Sequence, residues 1–185
     1  AMARMKNSPR FRLSSTEPLF ITAHLISLLK KLPLCRHFHI PVQSADNNIL
    51  QKMKRGYDVT YLSKTVDMIH ESFPDVAIGA DIIVGFPGEG EKEFMSTYQF
   101  LCEKPFTHLH VFPYSPRPGT EAFAQGDPIP RSEKRYRLRA LKELINNKSI
   151  EFRRRLLHKK FWAVIERTNG KYVGLTDNYL RVEID

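Results

Sequence analysis

The sequence predicts an α/β fold in which part of a parallel barrel is followed by the start of an antiparallel β module. Predicted strands and helices alternate through the first two thirds of the 185 residues, a pattern typical of parallel strands joined by right-handed crossovers. The segment Val76–Val84 is nearly all apolar, as expected of a strand covered on both faces. Further along the chain, Asn169-Gly170 is a strong hairpin turn between short apolar segments.

The parallel part is predicted to hold four strands, at Phe11–Leu13, His37–Ile40, Val76–Val84 and His108–Phe112. Helical patterns begin near Thr22, Asp46, Thr60 and Glu91. Pro33 and Pro74 end the first and third of these helices, because proline cannot continue a helix. Every predicted strand runs into a polar segment rich in Gly or Pro, and ligands of such folds bind at the carboxyl ends of the strands. We therefore expect a site formed by these four loops.

The net positive charge of the chain is confined to one segment. The formal net charge is +9, and residues 131–160 carry 12 Lys and Arg against 3 Asp and Glu, whereas the rest of the chain is balanced. This segment has apolar residues at helical spacing after Pro130, with Ser132 as the predicted cap. Like charges three and four residues apart repel on a helix, which favours binding to a phosphate backbone. The alternative is a solvated helix face that only keeps the protein in solution.

Three later segments, Phe161–Ile165, Tyr172–Leu175 and Tyr179–Ile184, predict a separate antiparallel module. Three strands make a poor independent fold, and four parallel strands are too few to close a barrel, so we expect a fragment of a longer protein. The predicted organisation is part of a barrel at 1–130, a basic helix and linker at 131–160, and the beginning of a second β domain at 161–185.

Cysteine usage and hydropathy indicate the compartment. The two cysteines, Cys35 and Cys102, do not have the Cys-x-x-Cys spacing, and this favours a reducing, cytoplasmic environment over a disulfide scaffold. No apolar run is long enough for a transmembrane helix, so we expect no membrane partner.

Two pairs of histidines stand two residues apart, His37 with His39 and His108 with His110. Residues at this spacing share one face of a strand, so each pair could ligate a cation. No Cys, Asp or Glu completes a ligand set at a fixed spacing, and histidines packed inside the barrel are the favoured interpretation. The sequence therefore predicts no metal site.

Four motifs in order resemble those of the radical S-adenosylmethionine (SAM) methylthiotransferases, at Arg12–Pro18, His39–Ser44, Asp81–Glu89 and Phe112–Thr120. The last 26 residues, from Lys160, resemble the start of that family's TRAM domain, an RNA-binding β-barrel. The segment Gly174–Tyr179 is most similar to the branch that acts on threonylcarbamoyladenosine in transfer RNA (tRNA). The resemblance implies a partial, TIM-like (βα) barrel of the radical SAM type, of which this chain holds strands three to six.

The resemblance also implies a reaction and its cofactors. Family enzymes use two 4Fe–4S clusters and SAM to add a methylthio group to their target. The residues implied to bind SAM are Ser14, Ser15, Glu17, Gln43, Ser44, Gly85, Phe86, Gly88, Glu89, Phe112 and Tyr114. The resemblance also implies that Arg117 binds tRNA. The charge pattern adds the expected tRNA-binding residues Arg131, Lys134, Arg135, Arg153, Arg154, Arg155, Lys159 and Lys160.

The sequence also departs from the pattern of this family. The Cys-x3-Cys-x2-Cys motif of the radical cluster is absent, so catalytic residues cannot be named, and this chain alone is expected to be inactive. The N-terminal part of the same polypeptide would supply both clusters. Ala45 stands where glycine is expected, and Thr16 where isoleucine is expected. Two alternatives stay open, a non-catalytic RNA-binding module and an enzyme that methylthiolates a ribosomal protein.

Overall fold

The computed structural model describes residues 9–168 and 170–184, and it contains two sheets of three strands each. The parallel sheet has β1 (His37–Gln43), β2 (Ala77–Val84) and β3 (His108–Pro113), side by side in that order. The helices are α1 (Ala23–Leu29), α2 (Asn47–Lys52), α3 (Val59–Ser72), α4 (Glu91–Glu103) and α5 (Arg131–Arg155). The antiparallel sheet has β4 (Ala163–Thr168), β5 (Lys171–Thr176) and β6 (Arg181–Ile184). Asn169 of the predicted turn lies outside the described residues.

The starts of the first three helices follow from their capping side chains. The Thr22 hydroxyl accepts a hydrogen bond from the Leu25 amide, and the Asp46 carboxylate accepts from the amides of the next helix, α2. Both predicted starts are confirmed. Helix α3 begins one residue before the predicted Thr60, because Asp58 accepts from the Tyr61 amide and caps it.

The parallel sheet and its crossover helices bury the main hydrophobic core. Helix α3 connects β1 to β2, and α4 connects β2 to β3, so the predicted strand–helix alternation is confirmed. The predicted apolar stripe of α3 is fully buried at Leu62, Val66 and Ile69. The parallel arrangement places the loops after all three strands at one edge of the sheet.

The predicted first strand, Phe11–Leu13, is not a strand in the structure. Phe11 makes one isolated parallel bridge with Leu34, and Ser15 makes another with His39. The backbone amides of Phe11 and Thr16 donate to the carbonyls of Pro33 and His39, respectively. The residues between these two bridges do not pair continuously with β1. The segment therefore lies along the edge of β1 without adding a strand to the sheet.

Strand β1 ends in a bulge at the predicted site. Pro41 has no amide hydrogen to donate, and the register with β2 shifts between Ile40 and Gln43. Gln43 takes a positive φ of 64°, which a side chain other than glycine rarely adopts. The buried Tyr57 hydroxyl donates to the carbonyl oxygen of Pro41 at 2.9 Å and holds the bulge in place.

Helix α5 packs across the parallel sheet through apolar residues and one buried ion pair. Arg137 is completely buried, and its guanidinium donates to the Glu89 carboxylate at 2.6 Å and to the Glu89 carbonyl at 3.0 Å. Glu133, one turn earlier on α5, also pairs with Arg137. These contacts fix α5 to the loop that follows β2.

The ends and length of α5 differ little from expectation. Its N-terminal cap is Pro130 rather than the predicted Ser132, and the Pro130 carbonyl accepts from the amides of Glu133 and Lys134. Although α5 has 25 residues, neither it nor any other helix in the described part of the chain is apolar enough to cross a bilayer.

The antiparallel sheet contacts the end of the parallel sheet at which β1 and β2 begin. Arg36, just before β1, donates to both carboxylate oxygens of Asp177, with its Nη2 lying 3.0 Å from Oδ2 and 3.2 Å from Oδ1. Asn178, which is fully buried, donates to the Asp75 carbonyl at 3.2 Å. The turn between β5 and β6 is therefore anchored to the residues that precede β1 and β2.

We predict that the stability of the fold falls at alkaline pH because of Tyr57. Burial raises the pKa of the Tyr57 hydroxyl from 10.0 to about 12. Since the folded-state pKa is the higher one, this stabilisation is complete below pH 10 and is lost as the pH rises toward about 12. Thermal unfolding across this window measures the effect. The Tyr57→Phe variant should show a smaller loss of stability between pH 10 and about 12 than the wild type does. The control Tyr136→Phe, at an exposed site, should lose stability over this range as the wild type does. Equal losses in the two variants would contradict the assignment to Tyr57.

We also predict that Arg137→Met is strongly destabilising. The substitution leaves the Glu89 carboxylate buried without its cation, and removing one partner of a buried ion pair costs about 3–5 kcal/mol. Urea denaturation followed by circular dichroism measures the loss. Arg139→Met is the matched control, because Arg139 is exposed on the same helix and should change stability by about 0.5 kcal/mol or less. A loss of equal size in both variants would refute this role for Arg137.

Candidate functional site

A cavity of about 860 Å³ opens at the carboxyl ends of the three parallel strands. This volume is within the range of about 300–1,000 Å³ found for small-molecule sites. Residues from the ends of all three strands line it, namely Gln43 after β1, Phe86 after β2, and Phe112, Tyr114 and Arg117 at and after β3. The structure thus brings together five of the residues that the sequence placed in the SAM and tRNA sites.

Aromatic side chains form one wall of the cavity. The rings of Phe86 and Tyr114 meet edge to face, with centroids 5.1 Å apart. Phe112 is 51% exposed although it stands on a strand, and it borders the cavity. Exposed aromatic faces beside a buried edge-to-face pair offer a stacking surface for a planar ring.

Cations also line the cavity, and sequence analysis missed them. Lys52 at the end of α2, and Lys54 and Arg55 just after it, reach the cavity. Arg55 donates to the Glu17 carboxylate at 3.0 Å, so Glu17 lies beside the site without lining it. The run Lys52-Met53-Lys54-Arg55 is the sequence feature that could have identified these cations. It carries three positive charges, and Lys54 takes a positive φ.

Several residues implied to bind SAM hold the loops together instead of lining the cavity. Ser44 is buried, and its hydroxyl contacts that of Thr97 on α4 at 3.2 Å. The Glu89 carboxylate accepts from the Gly85 amide at 2.9 Å and from Arg137. Burial raises the pKa of Glu89, and these two hydrogen bonds limit the rise.

The two glycines of the loop after β2 make room for lysine side chains. Gly85 has a φ of +76°, and a Cβ at this position would lie 2.5 Å from Cγ of Lys134. A Cβ at Gly88 would lie 2.0 Å from Nζ of Lys52. Both glycines therefore have a packing role, and their place in the cofactor site stays a prediction. Ser14 and Ser15, on the segment beside β1, are outside the cavity lining as well.

Lys134 is a correction to the predicted tRNA-binding set. It is only 4% exposed, donates to the Tyr114 carbonyl at 2.9 Å and pairs with Asp127. A side chain enclosed in this way cannot reach a phosphate, because its charge is already satisfied inside the fold. Lys134 instead fixes the start of α5 to the loop after β3.

The other predicted tRNA-binding residues are exposed, but they form two separate groups. The mouth group consists of Arg117, Arg131 and Arg135, at the cavity and the first turns of α5. The distal group consists of Arg153, Arg154, Arg155, Lys159 and Lys160. At 1.5 Å per residue, Arg131 and Arg155 are about 36 Å apart along the axis of α5. Lys159 pairs at 2.7 Å with Asp75, which places the distal group near the amino end of β2.

The histidines of β1 and β3 come together on one face of the parallel sheet. His39, Gly79 and His108 stand in one row, and Asp81 and His110 are partners in the next. The Asp81 carboxylate lies 2.8 Å from Nε2 of His39 and 3.2 Å from Nδ1 of His110.

Burial and the neighbouring histidines keep part of this cluster neutral. Burial, followed by the effect of His108, lowers the pKa of His37 to about 3. Burial, followed by the effects of His39 and His110, lowers the pKa of His108 to about 4. Both imidazoles are therefore uncharged at neutral pH.

The chain is similar to tRNA-modifying enzymes along nearly its whole length. It is 35% identical to the threonylcarbamoyladenosine tRNA methylthiotransferase MtaB of Bacillus subtilis (strain 168), over 97% of this chain and 41% of the relative. The corresponding enzyme of Thermotoga maritima is 38% identical over 94% of this chain and 41% of its own length. The chain thus spans about two fifths of the length of these curated relatives.

Solved structures with the same fold are more distant in sequence. Elp3 of the archaeon Methanocaldococcus infernus, with an N-terminal deletion, matches with a TM-score of 0.58 and 16% identity over 92% of this chain and 58% of its own. Coproporphyrinogen III oxidase (HemN) of Escherichia coli, described as a radical SAM enzyme, matches with a TM-score of 0.62 and 15% identity over 88% of this chain and 45% of its own.

A match to a family model assigns the chain to a protein superfamily, in agreement with its parallel sheet and cavity. The model of the radical SAM superfamily matches residues 2–101, more than half of the chain, and this range contains β1, β2 and the helices between them. By this match, the chain belongs to the radical SAM superfamily.

Proposed function

We propose that this chain forms part of a methylthiotransferase that uses SAM to modify N6-threonylcarbamoyladenosine in tRNA. The observation that carries the proposal is the cavity of about 860 Å³, because it joins Gln43, Phe86, Phe112 and Tyr114 beside exposed arginines. The Bacillus subtilis and Thermotoga maritima relatives carry this activity in their names. The exposed Arg117, which lines the cavity, supports RNA as the substrate. The alternative hypothesis has a ribosomal protein as the substrate.

Different parts of the cavity suit different parts of the SAM molecule. The aromatic wall at Phe86, Phe112 and Tyr114 offers a stacking surface to the adenine, since a planar base stacks on aromatic side chains. The cations Lys52 and Arg55 offer charge-assisted hydrogen bonds to the carboxylate of the methionine part. Gln43, at the β1 bulge, adds an amide to the cavity lining. Ser14, Ser15 and Glu17 keep their proposed place at the edge of the site.

The two exposed basic groups suit a long polyanion. Arg117 of the mouth group lines the cavity, and the distal group lies about 36 Å from Arg131 along α5. A folded RNA that contacts both groups would be aligned along the helix while one nucleotide reaches the cavity. We further propose that β4, β5 and β6 are the beginning of a TRAM-like RNA-binding domain, with the domain limits expected from the sequence.

The iron–sulfur clusters of such an enzyme do not fit the residues of this chain. Protein-bound clusters are held mainly by several cysteine thiolates, whereas this sequence has only Cys35, which is buried, and Cys102, which is exposed. Ligands for both clusters would have to come from another part of the polypeptide. The roles that we assign to this chain are therefore cofactor binding and RNA binding.

We predict that the chain binds SAM and that Phe112→Ala weakens binding about tenfold. Loss of one stacking partner costs about 1–3 kcal/mol per base. Isothermal titration calorimetry with SAM measures the change. Phe20→Ala is the matched control, because Phe20 is also exposed, at 71%, but does not line the cavity. If the wild-type chain bound RNA but not SAM, the non-catalytic RNA-binding module would replace this proposal.

We predict that replacing Arg153, Arg154 and Arg155 together with glutamine weakens binding to a tRNA transcript. Each lost phosphate contact removes about 0.7 from the slope of log K against log salt for single strands, so the slope should fall by about two. Filter binding at several salt concentrations measures both quantities.

The control for this triple variant replaces Lys30, Lys31 and Lys64 with glutamine. These lysines are exposed, so the control removes the same charge from another surface. It should keep most of the salt slope. Equal losses in the two triple variants would show that net charge, rather than the position of the distal group, determines binding.

A further inference from the structure

The histidines of β1 and β3 form a cluster that neither the proposed SAM site nor the proposed tRNA surface uses. His37, His39 and His108 each offer a ring nitrogen, and the three nitrogens lie within 4.8 Å of one another. We propose that these three imidazoles form a binding site for a divalent transition metal ion, with Zn²⁺ as the best match. Three histidines are a donor set that binds zinc and leaves one coordination position open.

The spacing of two of the nitrogens agrees with shared coordination. Two nitrogens that each bind one zinc ion at about 2.0–2.1 Å in tetrahedral geometry stand about 3.3 Å apart. Nε2 of His37 and Nε2 of His108 lie 3.3 Å apart. Strands β1 and β3 are separated by β2, so this contact exists only because both side chains reach across the middle strand.

A neighbouring hydroxyl supports the tautomer of His108 that a metal ion needs. The Thr107 hydroxyl lies 3.3 Å from the Ile78 carbonyl, to which it can donate its single hydrogen. The Thr107 oxygen also lies 3.1 Å from Nδ1 of His108 and can accept from that nitrogen. In the tautomer with its hydrogen on Nδ1, His108 has the lone pair of Nε2 available for an ion. A hydrogen bond to the second ring nitrogen is the usual support of a metal-binding histidine.

Gly79 provides the space that the cluster occupies. It stands in the middle strand, between His39 and His108 in the register. A Cβ at this position would lie 1.9 Å from Nε2 of His108. Any other residue would therefore displace the His108 ring. Glycine is unfavourable inside a strand, which makes this close approach of an imidazole a specific reason for its presence.

The surroundings leave room for an ion and balance its charge in part. A cavity of about 330 Å³ is lined by His108, so the cluster borders open space on the side of this residue. The Asp81 carboxylate lies 2.8 Å from Nε2 of His39 and attracts a cation. On the other side, the Arg12 guanidinium lies over the ring of Tyr179, which stacks on His37 with centroids 4.1 Å apart. Because Arg12 repels a second cation, we expect moderate affinity.

A second group of possible ligands, His39, Asp81 and His110, is the less suitable one. Its Asp81 carboxylate oxygen already lies within hydrogen-bond distance of both histidines, at 2.8 and 3.2 Å. A carboxylate that already bridges two imidazoles in this way needs no ion to satisfy it. The His37–His108 contact, in contrast, brings the Nε2 atoms of two nearly parallel imidazole rings to 3.3 Å, and one metal ion can use both nitrogens.

The test is a titration of the metal-free chain with Zn²⁺ in a calorimeter. One equivalent should bind, and Co²⁺ should bind in its place with the visible absorption of a tetrahedral complex. His37→Ala, His39→Ala and His108→Ala should each abolish this binding. Thr107→Val should weaken it about tenfold, which is the lower end of the usual effect of a supporting hydrogen bond.

Two further variants separate the site from general effects. Gly79→Ala keeps all three ligands but should lose the ion, and circular dichroism shows whether this variant is folded. His24→Ala removes an exposed histidine of α1 and should bind as the wild type does. No binding by the wild type would overturn the proposal. Loss of binding in His110→Ala together with retention in His37→Ala would also overturn it, because the ion would then belong to the neighbouring group. Neither result depends on SAM or on RNA.

Discussion

The buried pair of Arg137 and Glu89 is the contact on which the arrangement of the site depends. Burying two charges is costly unless each is paired and hydrogen-bonded, and here the carboxylate also accepts from the Gly85 amide. The pair joins the first turns of α5 to the loop after β2. One turn away, Lys134 joins the same helix to the loop after β3. A single helix thus positions two of the three loops that form the cavity.

This use of α5 changes how its charge is to be understood. The segment 131–160 contains all of the net charge of the chain, yet Lys134 and Arg137 point into the fold and neutralise Asp127, Glu89 and Glu133. The outward-facing residues of the mouth group and the distal group lie toward the two ends of the helix, with the exposed Arg139 and Lys142 between them. Repulsion along the helix, which suggested a bound polyanion, is therefore relieved in part by the protein's own carboxylates. The remaining exposed groups are the two surfaces that we propose for RNA binding.

The centre of the sheet shows a similar dependence on the fold. His37 and His39 on one strand, and His108 and His110 on another, looked like two incomplete ligand sets. Gly79 on the strand between them removes the side chain that would keep them apart. The result is one polar patch on a face of the parallel sheet, between the cavity at the carboxyl ends of the strands and the antiparallel sheet at the other end.

The sequence by itself determined the order of strands and helices, the parallel sheet and the location of the ligand-binding edge. These follow from local signals, namely the caps at Thr22 and Asp46, the apolar stripe of α3 and the loops at the strand ends. Local signals failed at Phe11–Leu13, where strand formation depends on a neighbouring strand. Only the tertiary structure decided that Glu89, Ser44 and Lys134 are internal supports, and that Lys52 and Arg55 face the cavity. The physical reason is that burial and charge pairing depend on residues distant in the chain, and local spacing carries no information about such partners.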